Sequence, residues 1–148
     1  SVSNFQGGSG TAWFLVDNSK TLKPIIYQKR RDYAFQAKTS LSDDNVFSRN
    51  EFVWGADGRG NVGYGLWQLA YASKEALTPQ AYADARAAQQ SMVGDDGTPL
   101  VIRSQQLWVP QSKKKAALEV VKAERLSNGA TNVMAGSAQV VVCPWLAQ

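Results

Sequence analysis

Apolar residues recur along this chain at two periods, and each change of period marks a change of element. Ala12 to Val16 is a short apolar run stopped by Asp17, Asn18 and Ser19, which predicts a strand and a turn. A second strand is predicted over Leu22 to Arg31, with Pro24 marking a strand start or sheet edge because proline cannot donate to the ladder. Residues 32 to 50 show no clear period and read as an irregular excursion anchored by Tyr33, Phe35 and Phe47. Glu51 to Trp54 opens a central strand pair. From Val62 to Ala72 the alternation puts Trp67, Leu69 and Tyr71 on one face and Val62, Tyr64, Leu66, Gln68 and Ala70 on the other, a strand covered on both sides.

The period then lengthens. Thr78 before Pro79 is an N-cap with a first-turn proline, predicting a helix to Val93 whose narrow stripe is Ala81, Ala85, Ala88 and Met92. Gly94 to Gly97 closes it. Leu100 to Ile102 and Gln106 to Val109 read as strands, the second ended by Pro110. A second helix is predicted from Ser112 to Leu126, with Ala117, Val120 and Val121 inward. A polar loop over Ser127 to Ser137 leads to a buried run, Gln139 to Cys143. Trp13, Trp54, Trp67, Trp108 and Trp145 are the expected core anchors. The leading residues 1–11, polar and glycine-rich with Gly7-Gly8-Ser9-Gly10, are expected to be mobile. Residues 12–148 then form one α+β domain, strand-rich over 12–76 and helix-containing over 77–148.

The densest glycine and aromatic stretch, Glu51 to Ala72, admits two readings. Gly58, Gly60 and Gly63 satisfy G-x-G-x-x-G, but a dinucleotide site needs a helix immediately afterwards, and Gly65 with the flanking aromatics disfavours one. The preferred reading is a hairpin or bend in which glycine supplies a turn conformation or admits a close neighbour, with Arg59 at its tip. Asp43-Asp44-Asn45 lacks the alternate spacing and distal glutamate of a calcium loop and reads as a turn.

Composition narrows the chemistry. The 148 residues include no histidine, so Ser-His-Asp and Cys-His nucleophile systems are excluded and the commonest metal ligand is missing. The single cysteine, Cys143, cannot form an internal disulfide and reads as an inert core residue. No apolar run reaches membrane-span length and no signal-peptide pattern is read, so a soluble protein is expected. A first residue Ser1 rather than Met is read as processing or as part of something longer. No catalytic residue, metal or cofactor is assigned.

The net charge is +4. Lys20, Lys23, Lys29, Arg30 and Arg31 place five positive charges within twelve residues. They read as a solvated edge or an inter-subunit salt bridge in preference to a phosphate contact, because basic and aromatic residues do not interleave. Lys113, Lys114 and Lys115 at a predicted helix start oppose the helix dipole and hint at an acidic partner, with a solvated face as the preferred reading.

Four blocks carry a resemblance: TAWFLVDNSKTLKPIIYQKR at 11–30, VFSRNEFVWGADGRGNVGYGLWQLA at 46–70, DDGTPLVIRSQQLWVP at 95–110 and TNVMAGSAQVVVCPWL at 131–146. Together they resemble the Mu-like phage major head subunit family. The resemblance implies the Hong Kong 97-type capsid fold, α+β, with this chain as a C-terminal portion: a mixed or antiparallel sheet with two helices, from the axial and part of the peripheral domain. The N-terminal arm, extended loop and spine helix would lie outside it. In the order expected of the family, the helix and WVP block precedes the WFLVD and GYGLW blocks, whereas here it follows. Also implied are a non-enzymatic subunit that self-assembles into hexamers and pentamers of an icosahedral shell enclosing double-stranded DNA, in a virion made in the host bacterial cytoplasm. Its partners would be copies of itself, scaffold or portal proteins, and DNA bound non-specifically, with no membrane. Arg59, then Lys29, Arg30 and Arg31, are the expected inter-subunit contacts. The alternative is a nucleic-acid-binding module using the basic strand end.

Overall fold

A computed structural model describes residues 4–126 and 129–147. The chain divides into two compact units: Ser1–Pro24 together with Tyr64–Gln148, and Ile25–Gly63. This division does not follow the change from strand-rich to helix-containing sequence at 76/77, because the strands on either side of Ile25–Gly63 pair with each other.

In the first unit, β1 (Trp13–Val16) lies between β4 (Ala70–Ser73) and β5 (Gln106–Val109), antiparallel to both, and β6 (Gln139–Val142) adds in parallel to β5. The period of two sorts the side chains. Trp13, Leu15, Tyr71, Leu107 and Val109 enter one core with Tyr82 and Ala85 of α2 (Pro79–Gln90) and Ala117, Val120 and Val121 of α3 (Lys114–Lys122). Helix α3 makes the crossover between the parallel strands β5 and β6 that such a pair requires. The predicted cap of α2 is present: Thr78 Oγ1 accepts from the Ala81 amide at 3.1 Å, with Pro79 at the first helical position. Helix α3 is shorter than predicted. Asn132 Nδ2 reaches the Val120 and Ala123 carbonyls, both at 2.8 Å, and occupies the acceptors through which the helix would continue.

Several expectations are corrected. The segment expected to be mobile is tied down from Asn4 onward, where Gln6 donates to the Ala72 carbonyl and Gly10 to that of Lys74. Gly8, at φ +90°, lies against the Lys74–Glu75 peptide so closely that a β-carbon would overlap it. Ser1 to Ser3 of that segment, like residues 127 and 128 of the predicted polar loop, lie outside the described residues. Leu100 to Ile102 is not a strand: Val101 and Ser104 sit at φ 50° and 47°. The loop is pinned instead by side chains, with Asp17 Oδ2 accepting the Arg103 amide at 2.8 Å and Ser104 Oγ donating to Gln89 Oε1 at 2.7 Å, both within a buried setting. The run Gln139 to Cys143 is half-covered rather than buried, except for Gln139, which is exposed.

Asp17 is fully buried. Burial opposes its ionisation, but hydrogen bonds from Ser19 and the Arg103 amide, with Lys20 nearby, outweigh it and hold the carboxyl below its ordinary value of 3.8. A depressed folded value means stabilisation that is complete above the unfolded pKa and lost as pH falls through the folded one. The first unit is therefore expected to lose stability below about pH 4. Urea midpoints measured from pH 6 down to 2 should fall less steeply in Asp17→Asn than in the parent.

Candidate assembly surface

The second unit is a two-stranded sheet, β2 (Ile25–Lys38) and β3 (Val53–Tyr64), joined through the one-and-a-half-turn helix α1 (Asp44–Arg49). The excursion expected over residues 32–50 is thus strand up to Lys38 and helix from Asp44. Its anchors are not buried, with Tyr33, Phe35 and Phe47 at 81%, 73% and 86% exposure. Only Val46 is buried among the residues of α1. Asn50 ends that helix in the left-handed conformation at φ 54°.

The glycine-rich stretch is neither turn nor nucleotide loop. Gly55, Gly58, Gly60 and Gly63 all lie within β3, and the chain after Gly63 continues extended through Tyr64 with no helix whose N-terminus could meet a phosphate. The physical reason appears across the sheet. The Tyr33 ring occupies the space where a Gly58 β-carbon would project, 2.7 Å from it, and the Tyr27 ring does the same at Gly60. Glycine lets these aromatics lie flat on the neighbouring strand. Tyrosines spaced six residues apart on one strand, facing glycines on the next, are a signal that the sequence contains but that local spacing does not reveal.

Every residue of β2 and β3 is exposed. Arg59 therefore lies in the interior of a strand and not at a turn tip, and among the described residues it forms no ion pair. The basic strand end is largely matched within the sheet. Lys29 Nζ lies 2.7 Å from Asp32 Oδ2, Arg31 Nη1 lies 2.5 Å from Asp57 Oδ2, and Arg30 Nε donates to Gln28 Oε1 at 3.2 Å. Such exposed pairs contribute at most about 1 kcal/mol each. Arg30 has only the neutral Gln28 as its partner, so among the described residues Arg30 and Arg59 are the cations of the group without an ion pair.

The five tryptophans separate. Trp13 is the core anchor expected, fully buried with Nε1 donating to the Glu75 carbonyl at 3.0 Å. Trp108 is half-buried, because alternation puts Leu107 and Val109 in the core and Trp108 on the opposite face beside Phe14 and Val141. Trp54, Trp67 and Trp145 are not core residues, with 58%, 44% and 79% of their surface exposed. Trp54 and Phe52 make an exposed tilted pair, ring centroids 6.3 Å apart. Large aromatics that a strand pair leaves in solvent are more often contact surface than accident.

Of the lysine triplet, Lys113 lies in a 3₁₀ turn ahead of α3 and donates to the Glu75 carbonyl at 3.0 Å, its ammonium pKa lowered by burial. Lys114 and Lys115 open α3, and Lys115 reaches Glu119 at 3.8 Å. Cys143 is half-buried and free. Among the described residues no cluster of three or more potential ligands could hold a metal ion, and no helix is long and apolar enough to cross a membrane.

Comparison with known proteins adds sequence relatives and solved structures. A family model, Mu-like prophage major head subunit gpT, matches residues 1–146. The major capsid protein of Escherichia phage Mu is 38% identical over 141 residues, covering 93% of this chain and 46% of that protein. The Mu-like prophage FluMu major head subunit of Haemophilus influenzae strain Rd is 40% identical over 129 residues, covering 84% and 42%. A chain of the procapsid of bacteriophage JBD30 superposes with TM-score 0.84 at 39% identity over 98% of this chain and 49% of that one. A chain of the JBD30 capsid superposes at 0.85 with 23% identity, a likeness of fold. The chain thus spans a little under half the length of the relatives it matches. The matches run through the chain as single alignments, so the block order expected to be permuted is the relatives' own order. The fold is the α+β capsid fold of the Hong Kong 97 type.

Proposed function

Because the chain belongs to the Mu-like prophage major head subunit gpT family, we propose that it is a portion of a phage or prophage major capsid subunit that self-assembles into an icosahedral shell enclosing double-stranded DNA. Its role is structural and not catalytic. The partners in this reading are further copies arranged as hexamers and pentamers, with scaffold and portal proteins and non-specifically bound DNA as secondary contacts. The virion is its destination after synthesis in the host cytoplasm.

The observation that carries the reading, beside family membership, is the uncovered sheet Ile25–Gly63. A two-stranded sheet without a core is marginal in water. This one is long and exposes Tyr27, Phe35, Trp54 and Tyr64. Such a surface gains its stability when it is covered by other parts of a subunit or by neighbouring copies. Many weak symmetric contacts then add into a stable shell through multivalency. Pairing of Lys29 and Arg31 with Asp32 and Asp57 reduces the charge that a nucleic-acid-binding module would need.

Negative-stain microscopy with size-exclusion light scattering of the encoded subunit tests this. Rings, tubes or shells are expected, and a strictly monomeric subunit under assembly conditions would sink the proposal. Arg59→Glu is expected to lower the assembled fraction about tenfold through an inter-subunit contact while leaving the melting temperature within about 2 °C. An unchanged assembled fraction would remove Arg59 from the interface.

A further inference from the structure

The outward face of α3 is an open, nearly flat surface made by Lys114, Lys115, Leu118, Glu119, Lys122 and Ala123. Lys115 is matched by Glu119 one turn on, but among the described residues Lys114 and Lys122 form no ion pair. Lys114, Leu118 and Lys122 are spaced by four, which puts them on one helix face as a basic, apolar, basic series. Lys114 also stands in the first helical turn, where the dipole disfavours a cation. This face is therefore suited to an acidic segment carrying an apolar side chain.

The same unit holds a segment of that description. The turn Gly94–Gly97 exposes Asp95 and Asp96, flanked by Val93 and Val101 with 52% and 63% of their surface in solvent. It is held rigidly. The Gly94 amide donates to the Thr98 carbonyl at 2.8 Å, the Thr98 amide to Asp96 Oδ1 at 3.0 Å, and the loop beyond is anchored through Arg103 to Asp17 and through Ser104 to Gln89. A loop already held in place binds with little further ordering cost. The two surfaces flank opposite ends of β5: residues 93–104 lead into it at Gln106, and the 3₁₀ turn before α3 leaves it after Val109. One cannot fold onto the other within a copy in this arrangement, but a second copy can present it head to tail. Contacts of that kind are heterologous and generate rings when the rotation closes.

We propose that the acidic turn Val93–Val101 of one copy docks on the lysine-lined outer face of α3 in the next, with Asp95 facing Lys114 and Lys122 and the valines meeting Leu118 and Ala123. The inference rests on the self-assembly reading and specifies one of its contacts. A charge-swap experiment on the encoded subunit tests it, read by sedimentation of assembled material at fixed protein concentration. Lys114→Glu with Lys122→Glu is expected to cut the assembled fraction about tenfold, Asp95→Lys to do the same, and the triple variant to recover to within about threefold of the parent. Circular dichroism melts of each variant should match the parent, since all three positions are exposed. If the lysine variant fails to assemble and Asp95→Lys does not rescue it, the acidic partner is another segment and the proposal is overturned. Unaltered assembly in both single-sided variants also overturns it while leaving the self-assembly reading intact. A parent that never assembles overturns both.

Discussion

Trp13→Ala is expected to destabilise the first unit by about 3–5 kcal/mol, the range for deleting a large buried aromatic. Trp13 is fully buried, stands in a strand flanked on one side by β4, and meets the core shared by both helices. Its removal leaves a cavity and deletes one of the two hydrogen bonds to the Glu75 carbonyl, which keeps the one from Lys113. Against a total stability on the order of 5–15 kcal/mol, that loss is a large fraction of what holds the unit together. Urea denaturation followed by far-ultraviolet circular dichroism should show the midpoint drop, with Trp145→Ala as the control. Trp145 is 79% exposed, so its replacement should change stability by less than about 0.5 kcal/mol. Equal effects from the two substitutions would contradict the separation of the tryptophans described above.

Gln89→Ala is expected to cost about 2–4 kcal/mol, although the residue is polar and lies on a helix of small side chains. The side chain is fully buried. Its Oε1 accepts from Ser104 Oγ at 2.7 Å, and its Nε2 faces the carbonyls of Leu15 and Gln68, both at 3.4 Å. One amide thus ties α2 to β1, to the 3₁₀ turn Trp67–Leu69 and to the strained loop before β5. Truncation leaves the Ser104 hydroxyl buried without this partner and removes the bond that holds Ser104 at φ 47°. A double-mutant cycle with Ser104→Ala isolates the coupling. The double variant should be less destabilised than the sum of the single ones, by about 1 kcal/mol or more. Strict additivity would show that the two side chains do not act together. Because the same loop carries the acidic turn Gly94–Gly97, the Gln89 variant should also assemble less well than its residual fold predicts.

Where local chemistry alone decides an element, the sequence was sufficient. The Thr78-Pro79 start of α2, the inward set Ala117, Val120 and Val121 of α3, and the strands at Trp13–Val16 and Gln106–Val109 all follow from caps, periods and proline stops that act within a few residues. The absence of histidine likewise removed the Ser-His-Asp and Cys-His nucleophile systems before any fold was known. Four separated blocks were enough for the family, because a family signature is a property of the linear chain.

What only the tertiary structure decided depends on residues far apart in sequence. Gly58 and Gly60 read as a turn because nothing nearby shows that Tyr33 and Tyr27 lie over them from another strand. Trp108 and Trp13 carry equal hydrophobicity, yet one faces the core and the other strand face is where Trp108 lies, a matter of register across β1 and β5. Trp54, Phe35 and Tyr33 read as anchors because aromatic residues usually find cover within their own fold. In this chain they stay exposed, since the sheet that carries them has a single layer. Hydrophobicity along a chain states how much surface seeks burial, and only the arrangement in space determines whether the chain itself supplies the cover.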